Sequence, residues 1–260
     1  MTEIKDYKNY TGEMFKSAYD KLWFVDKIFE PIDYIVDFGC ADGAVTRIIK
    51  LFYPDSVVIG YDLPNVIARN NERTDETVIY TADLDEIKEK IKGKKSILVL
   101  NSVVHEIYNY EKNPTEFLKK LFDLGFTFIW IRDLCITEND IVLDPYFKST
   151  LDRIKTEYKD QVEDFEKIYG PVEYQKNFIH FLLKYKYITN WDREVRENYT
   201  LFGEKLTEVQ ELLNNNYNTI IEETYVLPYH QYTFFMEFGI DLEEGLCNTH
   251  FRGLYRREEN

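Results

Sequence analysis

Residues 35–43 read Ile35-Val36-Asp37-Phe38-Gly39-Cys40-Ala41-Asp42-Gly43, an apolar run that ends in a turn with two glycines. Glycine adopts a positive φ at little cost and lets other atoms approach the backbone closely. Apolar residues then return with the spacing of an amphipathic helix, at Val45, Ile48, Ile49 and Phe52. The segment therefore predicts a strand, a glycine turn and a helix, the first unit of an open α/β sheet.

The same alternation continues along the chain. Apolar runs predict strands at 57–61, 77–81, 97–100 and 126–131, and amphipathic segments predict helices at 64–71, 84–91 and 114–122. The run at 97–100 is apolar at every position, as a strand buried on both faces must be. Strands that alternate with helices favour a doubly wound parallel sheet, and they fit a mixed antiparallel α+β protein poorly.

The rest of the chain shows coarser patterns. Apolar spacing over 14–29 predicts an N-terminal helix, and residues 140–215 combine many charges with helical spacing. Strand-like runs return at 219–221, 225–227 and 250–256, whereas 229–239 fits helix and strand equally. We expect a single domain over 1–260, with an N-terminal helix in 1–30, a core over 31–135, a helical insertion or lid over 140–215, and closing strands over 218–257.

Composition limits the class of protein. The chain has 260 residues, a formal net charge of −15, and three cysteines, Cys40, Cys135 and Cys247, without a CxxC pair. Neither a disulfide framework nor a zinc ribbon is indicated, and no apolar run approaches the about 18 residues of a membrane helix. The N-terminus lacks the apolar core of a signal peptide, so we expect a cytoplasmic protein that binds no membrane. The acidic balance disfavours a protein that coats nucleic acid.

Two nucleotide-binding chemistries use a glycine turn of this kind. The dinucleotide fingerprint GxGxxG would require glycine at positions 41 and 44, where the chain has Ala41 and Ala44. Asp37 would repel a pyrophosphate, but it would attract a cationic ligand. An NAD-dependent oxidoreductase is therefore disfavoured, and the chain also lacks a Tyr-x-x-x-Lys pair after the fifth strand.

The turn Asp37-x-Gly39-x-Ala41-x-Gly43 resembles the acidic-x-G-x-G-x-G turn of class I S-adenosylmethionine-dependent methyltransferases, with Ala41 in place of the middle glycine. The resemblance implies a seven-stranded sheet whose last strand is antiparallel. It also implies S-adenosylmethionine as the cofactor and S-adenosylhomocysteine as the product. It covers about residues 30–135 and returns at 218–257, whereas the insertion has no counterpart that we can assign.

Further expected cofactor residues follow the next three strands. Asp62 could accept both ribose hydroxyls. Asp83 and Leu84 are similar to the pair that meets adenine in that family, although Asp83 also fits the N-cap of the next helix. The expected cofactor set is Asp37, Gly39, Cys40, Ala41, Gly43, Asp62, Leu63, Asp83, Leu84, Asn101 and Ser102.

His105 and Glu106, just after the fourth strand, are the candidate catalytic residues. His105 would act as a general base towards an acceptor that carries a proton. Glu106 would orient His105 or the acceptor, although a solvated side chain also fits its position. A packed histidine fits the position equally well. A metal site of His105, Glu106 and Asp133 can be constructed, but no HxxxH or ExxH pairing occurs, so no metal is predicted.

The methyl acceptor is expected to be a small molecule. One alternative is a nucleic acid, held by cations interleaved with aromatic residues. These are Lys184, Tyr185, Lys186, Tyr187, Trp191, Arg193, Arg196, Arg252, Arg256 and Arg257. A second alternative is a binding or regulatory protein that keeps the fold without catalysis. The sequence does not specify the oligomeric state.

Overall fold

The computed structural model describes residues 16–71, 77–136, 141–242 and 248–258. The strands are β1 (Tyr34–Phe38), β2 (Val57–Tyr61), β3 (Ile79–Thr81), β4 (Ser96–Asn101), β5 (Phe128–Leu134), β6 (Tyr217–Tyr225) and β7 (His250–Arg257). They form one seven-stranded sheet in the order β3-β2-β1-β4-β5-β7-β6. The predicted strands 57–61, 97–100 and 250–256 agree with these bounds to within one residue.

Strand directions follow from the backbone pairing. β1 pairs in parallel with β2 and β4, β2 pairs in parallel with β3, and β4 pairs in parallel with β5. The amide of Cys135 donates to the carbonyl of Thr249, and the amide of Arg257 donates to that of Thr127, so β7 runs antiparallel to β5. The sheet is thus doubly wound and mostly parallel with its last strand antiparallel, which confirms the predicted fold class.

The described part of the chain also contains twelve α-helices. Those up to β5 are α1 (Ala18–Lys21), α2 (Ala44–Phe52), α3 (Pro64–Asn71), α4 (Leu84–Ile91), α5 (Val104–Tyr110) and α6 (Pro114–Phe122). Between β5 and β6 lie α7 (Lys148–Glu157), α8 (Lys159–Tyr169), α9 (Gln175–Leu182), α10 (Trp191–Glu194) and α11 (Leu201–Asn214), and α12 (Pro228–Phe238) precedes β7. The helical insertion between the fifth and sixth strands is therefore present.

Contacts divide the described residues into two compact units. The sheet unit contains residues 16–133, 207–223 and 252–258, and the helical unit contains 134–206 and 224–251, with the gaps given above. The core of the sheet unit includes Phe24, Ile35, Val99, Trp130 and Leu254. That of the helical unit includes Ile154, Phe165, Phe178, Phe181 and Phe234.

The N-terminal segment differs from the continuous helix predicted over 14–29. In its described part, α1 is followed by a short 3-10 helix, Trp23–Asp26. The rings of Trp23 and Phe24 contact Trp130 of β5, with centroid distances of 5.8 and 5.6 Å. Aromatic packing of this kind adds about 0.5–1.5 kcal/mol beyond burial, so it favours the packed turn over a longer helix. Residues 1–15 lie outside the described residues.

Three further segments refine the sequence expectations. The run at 219–221 lies in β6, which ends at Tyr225; residues 226 and 227 are not in a strand, so the prediction of a further strand at 225–227 is wrong. The ambiguous segment 229–239 is helical up to Phe238. Pro228 begins α12, where its fixed φ suits the first helical turn. Helix α5 directly follows β4, where no helix was predicted. No helix among the described residues is long and apolar enough to cross a membrane.

Candidate cofactor and catalytic site

The turn after β1 has an unusual backbone at its middle residue. φ is +76° at Gly39, +47° at Ala41 and +72° at Gly43. A left-handed conformation costs a residue with a Cβ about 1–2 kcal/mol. Two side chains offset that cost: Oδ2 of Asp62 accepts the Ala41 amide at 2.8 Å, and Nδ2 of Asn70 donates to the Ala41 carbonyl at 2.7 Å. The turn thus keeps the glycine-like backbone although its middle residue is alanine.

The two glycines of the turn are required by neighbouring side chains. A Cβ at Gly39 would lie 2.7 Å from Cγ2 of Val103, and one at Gly43 would lie 2.2 Å from the Tyr80 hydroxyl. Both approaches are closer than real Cβ contacts. Packing within the protein therefore explains the two glycines, in addition to the close ligand approach expected from the sequence.

Asp62 binds the backbone with both carboxylate oxygens. Besides the Ala41 amide on Oδ2, the Leu63 amide donates to Oδ1 at 2.7 Å. Burial raises the pKa of the carboxyl group, and these two amide hydrogen bonds oppose the rise. A carboxylate oxygen can accept more than one hydrogen bond, so Asp62 retains the capacity to bind hydroxyl groups. Leu63 itself is exposed.

Asp37, near the carboxyl end of β1, is almost fully buried, with 2% exposure. The Thr46 hydroxyl donates to its Oδ2 at 2.6 Å. Burial raises the pKa of Asp37 to about 6, while the Thr46 hydrogen bond and the positive charge of Lys21 lower it. The site thus contains a carboxylate in a low-dielectric environment, where attraction to a cation is stronger than in water.

Lys21 is a residue of this site that sequence reasoning missed. It ends α1 and is 4% exposed. Burial, followed by the charge of Arg132, lowers the pKa of its ammonium to about 8, and the charges of Asp37, Asp133 and Asp20 oppose that shift. In the sequence, Lys21 falls on the same helical face as the apolar residues Ala18 and Val25, and this spacing was the one available indication that Lys21 is buried. A lysine at one such position is normally interpreted as solvated.

The third strand end differs in character. Asp83 is exposed, and its Oδ1 accepts the amides of Asp85 at 2.9 Å and Glu86 at 3.3 Å. It is therefore the N-cap of α4, the alternative that the sequence left open. Contact of Asp83 and Leu84 with adenine stays a prediction.

Asn101 is the last residue of β4, and only one of its two polar side-chain atoms has a hydrogen-bond partner among the described residues. Its Oδ1 accepts the Trp130 indole N–H at 3.1 Å. Its Nδ2 is buried and has no hydrogen-bond partner among the described residues. An unsatisfied buried donor costs about 1–3 kcal/mol, so a ligand acceptor at this position would be stabilising.

Ser102 has a left-handed backbone, with φ of +55°. Its amide donates to the Arg132 carbonyl at 2.7 Å, and its hydroxyl accepts Nη1 of Arg132 at 2.8 Å. Nε of Arg132 in turn contacts Asp20 of α1 at 2.5 Å. The segment after β4 is therefore fixed to β5, and β5 is fixed to α1, by one buried arginine.

His105 forms a two-point contact with Asp133 of β5. Its Nδ1 lies 2.6 Å from Oδ1, and its backbone amide donates to Oδ2 at 3.0 Å. Both side chains are buried. With Asp133 ionised, Nδ1 is the donor and Nε2 is the acceptor, which is the tautomer of a general base. Glu106 is half-buried at the next position of α5. Asp133 thus contacts the ring nitrogen of His105, and an orienting role of Glu106 stays a prediction.

Cys40 is a buried thiol beside the turn. Burial is the main cause of its raised pKa, and the charges of Asp37 and Asp62 add to it. Such a thiol is inert and acts as a small apolar residue. Cys135 is also a buried thiol, and Cys247 lies outside the described residues.

Two of the seven cations proposed for nucleic-acid binding, Lys184 and Arg193, are internal. Lys184 is fully buried and donates to the carbonyls of Glu194 and Glu197. Arg193 is 5% exposed and pairs with the Glu194 carboxylate at 3.0 Å and that of Glu197 at 3.3 Å. These residues stabilise the helical unit, and they are not available to meet phosphates.

Comparisons with known proteins agree on this fold. A family model described as an O-methyltransferase domain matches residues 10–123. The plantazolicin methyltransferase BamL, solved with a triazolic desmethylPZN analog and SAH, is similar with a TM-score of 0.53 at 11% identity, covering 97% of this chain and 88% of that chain. No curated protein sequence matches significantly.

Two further solved structures are similar. A SAM-dependent methyltransferase from Anabaena variabilis has a TM-score of 0.50 at 13% identity, covering 93% of this chain and 84% of that one. One from Archaeoglobus fulgidus has a TM-score of 0.50 at 9% identity, covering 93% and 94%. The chain therefore has the fold of class I S-adenosylmethionine-dependent methyltransferases, as its sequence predicted.

Proposed function

We propose that the protein is an S-adenosylmethionine-dependent methyltransferase that releases S-adenosylhomocysteine. One observation carries the proposal: Asp62, Asp37 and Asn101 lie at the carboxyl ends of β2, β1 and β4, which are neighbours in the sheet. Ligands of open α/β sheets bind at that edge, near the point where the strand order reverses, here between β1 and β4.

The residues at this edge fit the chemistry of the cofactor. Asp62 can accept ribose hydroxyls, and the buried Asp37 carboxylate suits an ammonium group. The unsatisfied Nδ2 of Asn101 can donate to an acceptor atom of the cofactor. A dinucleotide fits less well, because its pyrophosphate would meet the carboxylates of Asp37 and Asp62.

When bound, S-adenosylmethionine would supply a methyl group on a sulfonium, already activated for transfer. His105 would accept the acceptor's proton at Nε2 while the acceptor atom takes the methyl group. Asp133 would hold the ring in that tautomer and stabilise the imidazolium that forms. Orientation of the acceptor towards the methyl can contribute about 7–11 kcal/mol to rate enhancement.

The acceptor we propose is a hydroxyl group of a small molecule. Two observations support this choice: a general base is useful only for an acceptor that loses a proton, and the matched family model is described as an O-methyltransferase domain. A nucleic acid is less favoured, because Lys184 and Arg193 are buried. The buried thiols of Cys40 and Cys135 fit the reducing conditions of the cytoplasm, where we expect the enzyme to act.

Thermal unfolding with S-adenosylmethionine, S-adenosylhomocysteine and NAD tests the cofactor. A ligand at 100 times its dissociation constant adds about 2.7 kcal/mol to the free energy of unfolding. We expect a rise in Tm with both sulfur nucleotides. A rise with NAD alone, or none with either sulfur nucleotide, would refute the proposal. Transfer of labelled methyl to small molecules, RNA or protein in a cell extract then identifies the acceptor class.

A further inference from the structure

Lys21 is a buried cation without a direct partner among the described residues. It is 4% exposed, and desolvation of its ammonium is the largest influence on its protonation. Asp37, Asp133 and Asp20 act on it through charge, but no described residue forms a hydrogen bond with its ammonium. Removing an ammonium from water costs several kcal/mol, so a buried lysine whose ammonium forms no hydrogen bond or ion pair needs an explanation.

The three carboxylates near Lys21 are each bound to another group. Asp20 contacts Nε of Arg132 at 2.5 Å, and Asp133 contacts Nδ1 of His105 at 2.6 Å. Asp37 accepts the Thr46 hydroxyl at 2.6 Å. None of the three forms a hydrogen bond or an ion pair with the ammonium of Lys21, which can therefore bind an anion supplied by a ligand.

We propose that Lys21 binds the α-carboxylate of the cofactor's amino-acid end, opposite the α-ammonium held by Asp37. The inference rests on the proposed function. An α-amino acid carries both charges on one carbon, so a site that binds it needs a cation and an anion close together. Lys21 and Asp37 supply that pair in one buried environment, where charge-assisted hydrogen bonds are strong. A ligand with only the ammonium group could be bound by the carboxylates alone.

Lys21 then sets specificity between related nucleosides. The enzyme prefers S-adenosylhomocysteine to the analogue that lacks only the carboxylate, the decarboxylated amine. The enzyme also prefers S-adenosylhomocysteine to 5′-methylthioadenosine, which lacks the whole amino-acid end. A hydrogen bond to a charged group contributes enough for a preference of about 10- to 100-fold.

Titration calorimetry of the full chain with these three ligands tests the role. We expect Lys21→Met to weaken S-adenosylhomocysteine binding about 10- to 100-fold and to change binding of the decarboxylated amine less than about 3-fold. Lys21→Arg, which keeps the charge, should retain most of the preference. Lys27→Met is the matched control, since Lys27 lies on the same segment and pairs with Asp26 at 3.3 Å; it should leave all three affinities unchanged.

The outcomes separate this inference from the proposed function. If wild-type protein binds none of the three ligands, the cofactor assignment itself fails. If it binds S-adenosylhomocysteine and the decarboxylated amine equally well, the role of Lys21 is refuted without any variant. The role is also refuted if Lys21→Met weakens binding of S-adenosylhomocysteine and of the decarboxylated amine equally, at an unchanged Tm. Lys21 would then support the site without binding the carboxylate.

Discussion

Asp133 of β5 holds His105 of α5 at two points, with its Oδ1 2.6 Å from the ring Nδ1 and its Oδ2 3.0 Å from the backbone amide. The second contact fixes the start of the helix, and the first fixes the imidazole tautomer. A histidine held in this way presents Nε2 as its basic atom. The pairing links α5, which follows β4, to β5, and the carboxyl ends of β4 and β5 form the catalytic side of the proposed site.

Asp133→Asn tests that pairing. The amide can still accept the His105 backbone N–H, but it no longer stabilises the imidazolium. We expect kcat for methyl transfer to fall by about 10²- to 10⁴-fold, with cofactor affinity near wild type. Asp123→Asn, at an exposed carboxylate that pairs with Lys119, is the control. An unchanged kcat in Asp133→Asn would contradict the role of His105 as a general base and would indicate that His105 only packs in the core.

Asp62→Ala should lower both stability and cofactor affinity. The substitution leaves the amides of Ala41 and Leu63 without their acceptor. Each lost hydrogen bond lowers the free energy of unfolding by about 0.5–1.5 kcal/mol. It also removes the proposed acceptor of the ribose hydroxyls. Denaturant unfolding measures the first effect and calorimetry with S-adenosylhomocysteine measures the second. Asp55→Ala, on an exposed turn, should change neither. Full cofactor affinity in Asp62→Ala would disprove the ribose role.

Gly43→Ala should destabilise the protein more than Gly93→Ala. Both glycines have a left-handed backbone, with φ of +72° and +68°, so the strain of a Cβ, about 1–2 kcal/mol, is shared. Only at Gly43 does the Cβ meet another group, the Tyr80 hydroxyl at 2.2 Å, whereas nothing lies within 4 Å at Gly93. The difference in Tm between the two variants therefore measures the contact with Tyr80. Equal losses would mean that Tyr80 moves away freely.

Asp37 should make stability depend on pH. Its pKa is about 6 in the folded protein against 3.8 without burial, so the folded state binds more protons between those values. The contribution of Asp37 to the free energy of unfolding is present below about pH 4 and is lost as the pH rises through about 6. Urea unfolding of wild type and Asp37→Asn at pH 4 and pH 7 measures the difference.

The variant Asp37→Asn gives a second readout for the same residue. We expect it to be more stable relative to wild type at pH 7 than at pH 4, since it removes a buried charge. Its affinity for S-adenosylhomocysteine should nevertheless fall, because the amide attracts an ammonium less than a carboxylate does. The same stability difference at both pH values would contradict the assigned pKa.

The sequence by itself determined the sheet and the residues at its strand ends. Apolar runs, glycine turns and amphipathic periods are local signals, and parallel strands bring the ends that follow them to one edge. Asp37, Asp62 and Asn101 could be located for that reason. The N-terminal helix was the main local error, because contacts of Trp23 and Phe24 with Trp130 are long-range.

Only the tertiary structure decided which partners these residues have. Asn70 and Asp62 hold Ala41 in a left-handed backbone, and Asp133 contacts the ring of His105. Asn70 is 29 positions from Ala41 in the sequence, and Asp133 is 28 positions from His105. Lys21 is buried at the site, whereas its type predicts a solvated side chain. The effect of a charge depends on the solvent it loses and on the charges brought near it, and both are set by how distant segments pack.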